Sequence, residues 1–168
     1  QLRTRGTYKG LGIGLYVEGS GIPPYEGVEI NVEATGFVRV STGYPSQGQG
    51  HATTLIQIVA ETLGVDPDKV VVQSGRTDKF GWGVGTFASR AAVIGGTAAY
   101  KAAVRVRAKA FDLAAEQLEV SATDLEIVDG RVQVKGVPDV GVKLSELAVA
   151  TNPILTLEDG TEPGLRSV

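Results

Sequence analysis

The chain has 168 residues, of which 42% are hydrophobic and 21% charged, a balance that supports a packed core and excludes a disordered polyelectrolyte. Its formal charge of −3 argues against general nucleic-acid binding, and the absence of cysteine excludes disulfides, thiolate metal sites and a cysteine nucleophile. A lone histidine and no cysteine also make an all-protein zinc site untenable, and no apolar run reaches the ~20 residues of a membrane span.

Methionine is absent and the chain opens on Gln1, Leu2, Arg3, Thr4 and Arg5, which reads as the interior of a longer protein. No secretory leader pattern is present, so a cytoplasmic setting is expected. Leu11, Ile13, Leu15 and Val17 alternate with Gly12, Gly14, Tyr16 and Glu18, the period of a strand. The run of Gly10, Gly12 and Gly14 lacks the strand-before, helix-after context of a dinucleotide fingerprint. It reads as a strand whose glycines admit another backbone closely. Val28, Ile30 and Val32, then Phe37 to Val40, flank a glycine turn and predict a β-hairpin. Glu29 and Glu33 on this hairpin read as a solvated face rather than an acid/base pair.

Residues 41–50 are too rich in glycine and turn formers for a regular element. From His51 the period becomes helical, with Leu55, Ile58, Val59 and Leu63 on one face and Gly64 at the C-terminal cap. Asp66, Pro67 and Asp68 predict a turn, and Val70, Val71 and Val72 a buried strand. A second glycine loop covers residues 74–89. A helix is predicted over residues 89–118, with an apolar stripe of Tyr100, Val104, Ala108, Phe111, Ala115 and Leu118 and an exposed row of Lys101, Arg105 and Lys109. Its small, apolar beginning, residues 91–99, reads as buried. Asp129 and Gly130 between residues 125–128 and 131–134 predict a second hairpin. A short helix is expected over 143–149, and residues 151–168 read as a loop or cut tail. The order predicts an α+β layer fold, a mixed sheet with hairpins packed against two main helices, in one domain of 1–168.

Both glycine loops run into helix starts. Gly48, Gln49, Gly50 and His51 precede one helix; Gly85, Thr86, Phe87, Ala88, Ser89 and Arg90 precede the other. Helix starts offer unpaired N–H groups, and glycine lets a ligand approach them. Gln49 adds an amide, Ser89 a hydroxyl and Arg90 a guanidinium suited to phosphate. Two such loops are able to grip one extended phosphate-bearing ligand from two sides; two ordinary capped loops are the plainer alternative. His51, in the first helical turn, reads as a capping or packing residue rather than a catalytic one.

The series Gly48-Gln49-Gly50-His51-Ala52-Thr53 with Gln57, then Leu63-Gly64-Val65, Val70-Val71-Val72, Thr77-Asp78 and Gly85-Thr86-Phe87-Ala88-Ser89-Arg90 resembles the large subunit of molybdenum hydroxylases. This family includes xanthine dehydrogenase, aldehyde oxidase and aerobic carbon monoxide dehydrogenase, and the likeness is strongest to the last. The resemblance spans about residues 8–134. It implies a molybdopterin-binding domain in which the pterin dithiolene, not protein side chains, holds molybdenum. Gly48, Gln49, Gly50 and His51 would contact the pterin. Gly85, Thr86, Phe87, Ala88, Ser89 and Arg90 would pass near the metal and the cofactor phosphates, with Ala88 beside the molybdenum. The cofactor is expected as the cytosine dinucleotide. The resemblance further implies as partners the remainder of the large subunit, iron–sulfur and flavin units and a small substrate hydroxylated with water. The chain carries no Gly-Glu dipeptide, the setting of the family's catalytic glutamate, and Thr77-Asp78 reverses the family's usual order. No catalytic residue and no protein metal ligand is therefore expected here, and the piece alone should be inactive. The competing expectation is a binding or assembly module that keeps the fold without a complete site.

Overall fold

A computed structural model describes residues 3–152, 154 and 162–168. The first hairpin pairs β1 (Val28–Val32) with β2 (Val38–Thr42), antiparallel, from Val28 opposite Thr42 to Val32 opposite Val38. Val28, Ile30, Val32, Val38 and Val40 are all buried, while Glu29, Asn31 and Arg39 alternate on the other face. Glu33 does not sit free on that face: its carboxylate accepts a hydrogen bond from Arg39 Nε at 2.7 Å.

Helix α1 (His51–Leu63) buries Leu55, Val59, Ala60 and Leu63. It ends at Gly64, whose φ of 57° and N–H bond to the Ala60 carbonyl close the last turn. A Cβ at Gly64 would lie 2.6 Å from the Ile127 carbonyl oxygen, and the Gly64 carbonyl accepts from Gly130 N–H at 2.7 Å. The cap thus ties α1 to the second hairpin. After a 3₁₀ turn (Pro67–Lys69), β3 (Val70–Ser74) runs parallel to β2. Only Val70 of the three valines is buried; Val71 is 42% exposed. The strand expected to be buried is an edge strand instead, and Val71 lies toward solvent.

Helix α2 (Gly96–Leu118) packs on α1 and β1. Its inward face is Ala99, Ala102, Ala103, Val106, Ala110 and Ala114. The first half of the predicted stripe misses this face, since Tyr100 is 55% and Val104 40% exposed and Ala108 is exposed too, whereas Phe111, Ala115 and Leu118 are half-buried against the core. Methyl-sized side chains let two layers approach closely, and the bulkier apolar residues were displaced to the flanks. The helix also starts later than residue 89. A π-helical turn (Ala91–Gly95) precedes it, and of residues 91–99 only Gly95, Gly96 and Ala99 are buried. Lys109, expected in the exposed row, is half-buried and donates to the carbonyls of Glu162 and Gly164 at 2.7 and 2.8 Å.

The second sheet has the order β4 (Leu125–Val128), β5 (Arg131–Val134), β6 (Val137–Lys143). The Asp129-Gly130 turn has φ of 48° and 72°, as a two-residue hairpin requires. Strand β6 was not anticipated, because Pro138 and Gly141 disguise it. It is an edge strand, where proline is tolerated, and a Cβ at Gly141 would lie 2.5 Å from the Val132 oxygen. Helix α3 (Leu144–Ala150) follows directly. The tail expected as a loop contributes β7 (Arg166–Ser167), antiparallel to β1, behind the fully buried Leu165. The first sheet thus reads β3-β2-β1-β7, and the whole is the mixed α+β architecture expected.

The strand expected over residues 11–17 is absent. Leu11, Ile13, Leu15 and Val17 are 89–98% exposed, and a Cβ added at Gly10, Gly12 or Gly14 would meet nothing within 4 Å. The pattern encodes a strand, but a strand exists only against a hydrogen-bonding neighbour, and none of the described residues supplies one.

Candidate functional site

The first glycine loop leaves the end of β2. Gln49 folds its side chain back so that Oε1 accepts from Gln47 N–H at 2.6 Å and lies 3.4 Å from Ser46 Oγ. Gly48 and Gly50 hold φ of 106° and 75°. Gly50 is the N-cap of α1 and offers no side-chain acceptor, so the helix start is left uncapped. His51 is held edge-on to Tyr44, with ring centroids 5.5 Å apart. It packs, as expected, but its Nδ1 is buried without a hydrogen-bond partner.

The second loop is organised from below by Glu26, a buried carboxylate that sequence reasoning missed. Its oxygens accept from Val84 N–H at 3.1 Å and Gly85 N–H at 2.9 Å, and it is ion-paired with Arg90. The Arg90 side chain is fully buried. Nε donates to the Ile22 carbonyl at 2.9 Å, Nη1 to the Gly85 carbonyl at 2.7 Å, and Nη2 to the carbonyls of Pro24 and Tyr25. The guanidinium expected to reach a phosphate is instead consumed in holding the loop. The Phe87 ring lies 5.0 Å from it. Ala88 and Ser89 adopt φ of 47° and 50°, a left-handed pair unusual for residues with a Cβ, just before the π-helical turn. The Ser89 carbonyl accepts from Gly21 N–H at 3.3 Å.

The two loops meet. Thr86 Oγ1 donates to the Pro45 carbonyl at 3.4 Å, and Gly43 and Gly83 cross backbone to backbone. A cavity of about 310 Å³ opens at the junction, lined by Gln49, His51, Thr86, Ser89 and Arg90 together with Tyr44 and Thr54. That volume is at the lower end of small-ligand sites. Gly48, Gly50, Gly85, Phe87 and Ala88 belong to the same two loops but do not line the cavity. Cβ atoms placed at Gly48, Gly50 or Gly85 would meet nothing within 4 Å. Their positive φ angles thus shape the loops around open space rather than around protein. Among the described residues, no three His, Cys, Asp or Glu side chains are grouped to hold a metal ion.

Tyr44 was also missed, although it stands directly beside the glycine loop. It is 2% exposed, and burial, reinforced by the Glu26 charge, pushes its hydroxyl from 10.0 up to about 12. The folded state therefore holds this proton more tightly than the unfolded chain does. The resulting stabilisation is fully present below pH 10 and is lost as the pH rises from there through about 12. Two units correspond to about 2–3 kcal/mol. Chemical denaturation across this window should show that loss in the parent chain and a flatter profile in Tyr44→Phe; parallel profiles would contradict it.

The cavity thus lies between two glycine loops, each leading into a helix, and the exposed side chain of Gln49 stands at its edge. The chain belongs to the molybdopterin cofactor-binding domain family, which it matches over residues 1–164. It is 40% identical over 165 residues to the 6-hydroxypseudooxynicotine dehydrogenase complex subunit gamma of Paenarthrobacter nicotinovorans, covering 98% of this chain and 21% of that protein. It is also 40% identical over 144 residues to the carbon monoxide dehydrogenase large chain of Afipia carboxidovorans, covering 84% and 18%. Among solved structures, the reconstituted CO dehydrogenase from Oligotropha carboxidovorans superposes with a TM-score of 0.74 at 39% identity, over 85% of this chain and 18% of that one. Quinoline 2-oxidoreductase from Pseudomonas putida 86 gives 0.73 at 39% identity, over the same shares. The chain thus spans about a fifth of the length of the curated relatives it matches.

Proposed function

We propose that this chain supplies one wall of the molybdopterin site in the large subunit of a molybdenum-dependent dehydrogenase or hydroxylase. The observation that carries this reading is the convergence of the two glycine loops, 43 to 50 and 83 to 90, on one cavity. The residues present fit such a group. The glycine turns border open space, and Gln49 keeps its amide NH₂ after Oε1 is used internally. When bound, the cofactor supplies two-electron redox chemistry at molybdenum.

In this reading Gln49 donates to the pterin, the His51 ring lines the wall beside it, and Ser89 offers its hydroxyl from the facing loop. Gly48, Gly50 and Gly85 keep Cβ atoms out of the contact, and the backbone of Thr86, Phe87 and Ala88 forms the facing rim. Arg90 acts through the loop it fixes. Tyr44 holds its proton tightly and Arg90 is paired with Glu26, so neither of these two lining groups offers itself as a general base. The cytosine dinucleotide form, iron–sulfur and flavin partner units, a small substrate and a cytoplasmic setting complete the proposal.

In the large subunit that contains this chain, Gln49→Ala should lower cofactor affinity by about 1–3 kcal/mol, roughly 5- to 150-fold, by leaving a buried polar group unpaired. Molybdenum content per protein, read beside turnover per molybdenum, checks this. Unchanged content would remove Gln49 from the binding wall.

A further inference from the structure

Residues 8–18 carry the strongest strand pattern of the chain and form no strand. Four aliphatic side chains at alternate positions, Leu11, Ile13, Leu15 and Val17, are 92, 89, 97 and 98% exposed. The intervening positions begin with Gly10, Gly12 and Gly14, where an added Cβ would meet nothing within 4 Å. No backbone hydrogen bond joins residues 8–18 to another described residue. A contiguous apolar row with a free backbone is an incomplete β-structure rather than a solvated loop. The segment is part of the family domain, not an appendage: the family match covers residues 1–164, and relatives align over 98% of the chain.

We propose that residues 8–18 are a β-strand contributed to a sheet edge in the remaining part of the large subunit. The aliphatic face would be buried in that part's core, and the glycine face would admit a closely packed layer. This rests on the reading of the chain as part of such a subunit. The occupant is that remaining polypeptide because the chain makes up only 21% of its relative, leaving most of the subunit to supply an edge. The strand also runs straight into the cofactor wall. Three residues beyond it, Gly21 N–H binds the Ser89 carbonyl, and Ile22, Pro24 and Tyr25 accept from Arg90. Seating the strand would therefore set the position of the 85–90 loop against the rest of the pocket.

The test is hydrogen exchange measured by mass spectrometry on the large subunit and on the 168-residue chain, with molybdenum content determined on the same samples. Amides of residues 10–18 should exchange at least about 100-fold more slowly in the large subunit than in the chain alone. Leu15→Asp should leave the melting temperature of the 168-residue chain unchanged and lower that of the large subunit. Equally fast exchange in both proteins overturns the strand, even in a molybdenum-loaded subunit. Protection that grows with concentration in the 168-residue chain also overturns it, since the occupant is then a second copy. A protected strand in a subunit that never holds molybdenum leaves this inference standing and removes the cofactor reading instead.

Discussion

Replacing Arg90 with methionine is expected to destabilise the chain by about 3–5 kcal/mol, a drop in melting temperature of about 6–20 °C. The guanidinium is the only cation paired with Glu26 among the described residues, and it also satisfies the carbonyls of Ile22, Pro24, Tyr25 and Gly85. Methionine fills much of the same space but leaves a buried carboxylate without a countercharge and several carbonyls without donors. The double change Arg90→Met with Glu26→Gln should recover part of the loss, because the uncompensated charge is gone. It cannot recover all of it, since the carbonyls stay unpaired. Thermal denaturation of the two variants decides the matter. A shift below about 2 °C for Arg90→Met would show that the pair does not hold the loop.

A methyl group at Gly43 should have an effect of similar kind through sterics alone. Its Cβ would overlap the Trp82 carbonyl oxygen, reach within 2.5 Å of the Trp82 carbonyl carbon and within 2.9 Å of the Gly83 Cα. The reciprocal approach is as tight, with a Cβ at Gly83 lying 2.7 Å from the Gly43 carbonyl carbon. These are backbone atoms, and they cannot rotate away. Gly43→Ala should therefore push the two loops apart, cost about 1–3 kcal/mol or more and open the cavity. Gly81→Ala is the control, since its Cβ would meet nothing within 4 Å, and it should melt like the parent. Equal melting of both variants would refute the close crossing.

The layer architecture and both predicted hairpins were legible because each rests on a local signal: period-2 valines, the Asp129-Gly130 turn, the Gly64 cap. The convergence of the loops was legible only as residue type, since Gln49 and Ser89 carry no information about being neighbours. What stayed hidden was non-local. Nothing near Glu26 announces that its partner is Arg90, so the arginine read as a phosphate ligand. The phase of the first half of α2 was misread because pattern reasoning favours large apolar residues such as Tyr100 and Val104. The packing favours whichever face allows close approach, here the alanines. Residues 11–17 carry the pattern of a strand but form none among the described residues, since pairing is not a property of one strand. Pro138 and Gly141 hid β6 for the opposite reason: the proline is tolerated because that strand lies at an edge, and the glycine because the neighbouring Val132 carbonyl comes too close for a side chain.

The ties that build the cofactor wall join residues far apart in the chain: Glu26 to Val84 across 58 positions, Glu26 to Arg90 across 64, Ile22 to Arg90 across 68. Closing such long loops has an entropic cost that local elements avoid, and contacts of this range slow folding. The β1–β2 hairpin and the helices are able to form early from near neighbours. The wall must wait until both ends of a span of more than sixty residues have been brought together. One buried ion pair thus makes this side of the pocket depend on docking residues 22–26 against residues 84–90, which no local element can accomplish by itself.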